Sequence, residues 1–127
     1  MSKPKLYVCG AISGLPDLNR VKFANATRSL RDLGYIVVNP HELCSDLPAS
    51  EWTACMRRCI IALMECDTLI MLDDWQNSRG ATVEFQLAFS LGMECFAVDL
   101  FLKDHQPGQI INNVIETKPN HVQILFL

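Results

Sequence analysis

Short apolar runs separated by helix-length segments constrain this chain more than any other feature. "KLYVC" (5–9), "YIVVN" (35–39), "TLIML" (68–72) and "CFAVD" (95–99) are apolar almost throughout rather than alternating. A strand of that kind needs cover on both faces, and this is the signature of a parallel sheet. Between the runs, apolar residues recur at helical spacing. Phe23, Ala26, Thr27, Leu30 and Leu33 form one stripe, with Asn19 as N-cap and Gly34 as the stop. Trp52, Met56, Cys59, Ile60 and Leu63 form another, with Ser50 as N-cap. A third helix, over about 81–91, is apolar nearly all round and ends at Gly92. Residues 100–108 read as a loop, "QIINNVIE" as a short helix and "HVQILFL" as a last strand.

The order β-α-β-α-β-α-β-(α)-β, with right-handed crossovers, predicts a single α/β domain over residues 1–127. Its expected architecture is a flavodoxin-like (Rossmann-like) five-stranded parallel sheet with helices on both faces. Such sheets bind ligands beyond the carboxyl ends of their strands. That edge collects "CGAISG", "NPHE" and "DDWQNSRG".

Charge and cysteine usage narrow the function classes. A net charge of −3 without a basic segment disfavours a nucleic acid polymer as partner. No apolar run reaches the roughly 18 residues of a membrane span, and the start lacks the apolar core of a signal peptide. Six cysteines at 9, 44, 55, 59, 66 and 95 form no CxxC pair and stand mostly in apolar runs. They read as buried free thiols in a reducing, cytoplasmic compartment, with no disulfide framework and no metal site expected.

Glu84 is the residue that composition does not explain. Its helical neighbours are Gly80, Ala81, Leu87 and Ala88, none of which pairs with a carboxylate. At the start of a helix facing the ligand edge, the macrodipole is expected to keep it ionised and available as a nucleophile or base. Gly10 and Gly14 bracket a loop whose backbone amides, with the Ser13 hydroxyl, suit an anion, and Ser78 and Gly80 offer a helix cap or a second cradle. Trp75 is either a lid packed on the domain or a face for a base. Asp73 and Asp74 end the third strand and, on position, are the better second carboxylate; Asp67, before that strand, reads equally as a turn residue. The three histidines share no ligand spacing and read as surface residues.

"YVCGAISG", "NP", "CDTLIML" and "SRGATVEFQLAFSLG" together resemble the nucleoside 2-deoxyribosyltransferase-like superfamily, which includes deoxynucleoside monophosphate N-glycosidases and small domains common in phage genomes. The resemblance covers about residues 5–98. It implies Glu84 as nucleophile, Asp67 as acid, Tyr7 as the group orienting the nucleophile, and Ser78 on a 5′-phosphate. Position at the ligand edge adds Gly10, Ala11, Ile12, Ser13 and Gly14 along the substrate, with Asp73, Asp74, Trp75 and Gly80, and Asp73 and Asp74 stand as substitutes for Asp67 as the acid. A Ser and an Arg that the glycosidases use for phosphate fall at Ala11 and Ser13 here. The expected activity is cleavage of the N-glycosidic bond of a (deoxy)nucleoside or its 5′-monophosphate, by hydrolysis or base transfer, without cofactor or metal, in a homodimer or higher homo-oligomer. A catalytically silent nucleotide-binding module and a glycohydrolase of an NAD-type dinucleotide are the alternatives.

Overall fold

The computed structural model describes residues 3–105. Its order is β1 (Leu6–Cys9), α1 (Arg20–Asp32), β2 (Val37–Val38), α2 (Pro40–Leu43), α3 (Trp52–Met64), β3 (Thr68–Met71), α4 (Arg79–Ser90), β4 (Glu94–Ala97) and α5 (Val98–Asp104). The strands form one parallel sheet in the order β2-β1-β3-β4, with Leu6 opposite Val37 and Thr68, and Thr68 opposite Glu94. The expected class, α/β with a parallel sheet, is therefore present, with four strands among the described residues. The strand and helix expected beyond residue 108 lie outside them.

The uniformly apolar strands divide their side chains between two cores. Leu6, Val8 and Ile70 face Phe23, Ala26 and Leu30 of α1 and Phe101 of α5. Tyr7, Cys9, Leu69 and Met71 face Cys59 and Leu63 of α3 and Ala81, Phe85 and Ala88 of α4. Helices therefore cover both faces, and β1 and β3 are buried along their whole length. Burying a Leu, Val or Phe side chain stabilises by about 1.5–3 kcal/mol, so these two layers supply the main driving force for folding.

Several boundaries differ from the sequence-based expectation. "CFAVD" is strand only to Ala97, after which Val98 and Phe101 turn inward and 98–104 is helical where the strand end and a loop from residue 100 were expected. Asn19 does not cap α1. Its φ of 62° follows Asp17 and Leu18 at 48° and 53°, and this left-handed run turns its amide away from the helix. Ser50 gives way to Glu51 at the start of α3, and neither caps by side chain. The "NPHE" loop is instead a helical turn, capped by Asn39, which accepts from the His41 N–H. Gly34, at φ 94°, stops α1 as expected. No described helix is long and apolar enough to cross a membrane.

Candidate functional site

The carboxyl edge of the sheet opens into a cavity of about 320 Å³ between the β1 loop, α2, α3 and the start of α4. Gly10, Ile12, Ser13, Ser78, Gly80 and Glu84 line it. The backbone reaches it closely in two places, where a side chain has no room at Gly10 and is crowded at Gly80. A Cβ at Gly10 would stand 2.8 Å from Leu72 Cδ1, and one at Gly80 would stand 3.0 Å from Met56 Sδ. Glycine there lets the first loop pass over β3 and lets α4 close on α3.

Glu84 is 5% exposed, and its Oε2 accepts the hydroxyl proton of Tyr7 from β1. Among the described residues no cation pairs with it. Burial pushes its carboxyl up to about 7, against the Tyr7 hydrogen bond, which lowers it. The sequence-based expectation was a carboxylate that stays ionised, whereas desolvation outweighs the Tyr7 hydrogen bond and favours the protonated form. Near neutrality the group is divided between its two forms, a state suited to chemistry at pH 7. Burial and the Glu84 charge both push the Tyr7 phenol well above its usual value, so Tyr7 is a fixed donor.

The other predicted residues separate into distinct groups. Asp74 is tied into the first loop: Oδ1 accepts from the Ala11 N–H at 2.9 Å, and Oδ2 accepts from Asn19 Nδ2 at 2.9 Å and Lys22 Nζ at 3.1 Å. Burial works to raise its pKa, but these donors outweigh it and leave the carboxyl below its usual value. The Ala11 amide expected to cradle an anion is thus already committed to Asp74. Asp73 is exposed and paired with Lys22, and Gly14 is an exposed turn glycine at φ 81°. None of these four lines the cavity.

Asp67 does not join the site. It precedes β3, and a residue before a parallel strand stands at the amino edge, opposite the loops that follow the strands. There it is exposed, and its Oδ2 accepts from the Lys5 N–H at 2.8 Å, clamping the start of β1 to β3. Trp75 is buried against Phe85, with ring centroids 4.7 Å apart, and does not reach the cavity. The lid alternative describes it. Ser78 caps α4, its Oγ accepting from the Ala81 N–H at 3.1 Å.

Other residues complete the cavity wall. The cavity's aromatic wall is Trp52, whose helical spacing had marked it only as core, with the Arg79 guanidinium 4.2 Å over its ring. Trp52, Arg79, Ser13, Ser78 and Gly80 also line an adjoining hollow of about 260 Å³. The second carboxylate on the cavity wall is Glu51. His41, expected at the surface, is half-buried edge-on to Phe23 at 4.9 Å and lines the cavity, with burial and Arg20 lowering its pKa. Cys44, Cys55 and Cys59 come together on the same wall although no sequence spacing announced them. The place of "NPHE" after the second strand and the polar context of residues 41–51 were the signals that this segment faced a ligand.

A protein family described as a domain of unknown function (DUF4406) matches residues 4–97. No curated protein matches the chain.

Proposed function

The chain belongs to the DUF4406 family, and from the chemistry of its own site we propose that it cleaves the N-glycosidic bond of a (deoxy)nucleoside or (deoxy)nucleoside 5′-monophosphate. The observation that carries this is Glu84, a buried carboxylate with no cationic partner among the described residues, held by Tyr7 and facing a cavity. Motif resemblance to the nucleoside 2-deoxyribosyltransferase-like superfamily supports the same residues in the same roles. In its ionised form Glu84 attacks C1′ of the sugar as the bond to the base breaks, giving a glycosyl-enzyme ester. The base leaves with a proton, and water or a second base then attacks C1′ and releases Glu84.

Asp67 is too poorly placed to supply that proton, and Glu51 on the cavity wall takes its place. A base stacks along Trp52. A 5′-phosphate sits in the adjoining hollow, where Arg79 brings positive charge and the Arg79 and Gly80 amides, unlike that of Ala81 which Ser78 caps, have no helical acceptor. The main cavity lies at the small end of the roughly 300–1,000 Å³ range of ligand pockets, which suits one nucleotide rather than a dinucleotide. In this account the sheet is flavodoxin-like, and the protein works in the cytoplasm as a homo-oligomer whose subunits help close the site.

The test is base release from a panel of nucleosides and 5′-monophosphates, followed by chromatography with and without a free acceptor base. Release from at least one substrate is expected. Tight binding without release identifies a nucleotide-sensing module instead.

A further inference from the structure

The three thiols on the cavity wall are arranged unlike the other cysteines. Cys9, Cys66 and Cys95 are buried like Cys59, and Cys66 and Cys95 hydrogen-bond nearby carbonyls as Cys44 does. Only Cys44, Cys55 and Cys59, however, are recorded in sulfur–sulfur contact among the described residues. Cys44 follows α2, while Cys55 and Cys59 stand one turn apart on α3, so two elements converge. The Sγ atoms of Cys44 and Cys59 are 3.7 Å apart and those of Cys55 and Cys59 3.9 Å, with all three within 4.8 Å of one another. Tetrahedral zinc with Zn–S bonds of about 2.3 Å requires sulfurs about 3.8 Å apart. We propose that Cys44, Cys55 and Cys59 form a tris-thiolate site for a thiophilic divalent cation, zinc first.

All three side chains line the cavity, so the fourth position of the tetrahedron faces it and takes water or a ligand. Zinc binding converts three thiols to thiolates and releases three protons to solvent, with no change of oxidation state. The resulting complex carries one net negative charge. Arg58, whose charge favours the Cys44 thiolate, lies alongside to balance it. Burial holds the Cys44 thiol up at about 11, so the metal rather than pH removes the proton. Cys59 also touches the Tyr7 hydroxyl, which places the ion one residue from the donor that holds Glu84. The site stands or falls independently of the glycosidase proposal.

The experiment is titration of the fully reduced protein with Co²⁺, read as a thiolate-to-cobalt charge-transfer band and displaced by Zn²⁺. One equivalent is expected to bind. Loss of even an outer-shell partner weakens metal sites by roughly 10–100-fold, so Cys44→Ala and Cys55→Ala are each expected to weaken binding roughly tenfold or more. Cys66→Ala is expected to bind as the parent does. Absence of the band, or its retention at parental affinity in either of the first two variants, overturns the site. Thiol alkylation of the unsubstituted protein with and without Zn²⁺, mapped by mass spectrometry, does not depend on any variant folding. Protection of Cys44, Cys55 and Cys59 together supports the proposal, and protection of any other set or of none overturns it.

Discussion

Two carboxylates near the carboxyl edge of the sheet have opposite fates. Asp74 receives a backbone amide, an asparagine amide and a lysine, and its pKa falls. Glu84 is more deeply buried, receives one phenol, and its pKa rises to about 7. The partnered acid knots a loop to a strand and contributes to stability. The other costs stability whenever it is charged, and a fold keeps such a group where its charge is used.

The largest expected effect follows from the role of Glu84. Glu84→Ala is expected to lower turnover by roughly 10⁴-fold or more, the scale of losing a nucleophile, while circular dichroism stays native. Stability should move the other way in Glu84→Gln. The folded-state pKa of Glu84 lies above its unfolded value near 4.5, so the group's favourable contribution is complete below about 4.5 and lost as pH rises through about 7. Above that pH the neutral amide is expected to be the more stable by up to about 3 kcal/mol, measured by urea unfolding at pH 8, with the difference vanishing at low pH.

Asp74→Ala sharpens the contrast, because it strands the Ala11 amide and Asn19. It is expected to lose about 1–3 kcal/mol of stability by the same unfolding assay. Tyr7→Phe has a smaller effect and a telling direction. The Tyr7 hydrogen bond lowers the Glu84 pKa, so its removal raises that pKa further. The pH–rate profile should shift to higher pH, with activity at pH 7 lowered and recovered as the pH is raised. Least of all, Asp67→Asn is expected to leave kcat/KM within about twofold, since that side chain only clamps strand starts.

Much of this was readable in the chain because it depends on local pattern. Leu6 to Cys9 and Thr68 to Met71 are apolar at every position and are buried at every position. Glu84 stood out for lacking partners on its own helix, and it lacks a cationic one in space among the described residues. What was hidden depends on long-range convergence. Cys44 and Cys59 meet across a turn between two helices, and Trp52 has the spacing of a core residue while bordering the cavity. Asp74 and Ala11 are 63 residues apart, so the amide that looked free in the sequence was already used. Asp67 carried a motif match but also a position before its strand, and that position decided its edge of the sheet.

Glu84 as nucleophile is tested most directly by trapping its ester. The protein is incubated with nucleosides and 5′-monophosphates fluorinated at C2′, which slow an oxocarbenium-like transition state, and its peptides are then mapped by mass spectrometry. The expected result is one equivalent of sugar on Glu84, with release of the base in the same amount, rising with pH through about 7 as the carboxylate ionises. Base release from a substrate with no adduct on Glu84, and continuing at the full rate in Glu84→Ala, would contradict the account.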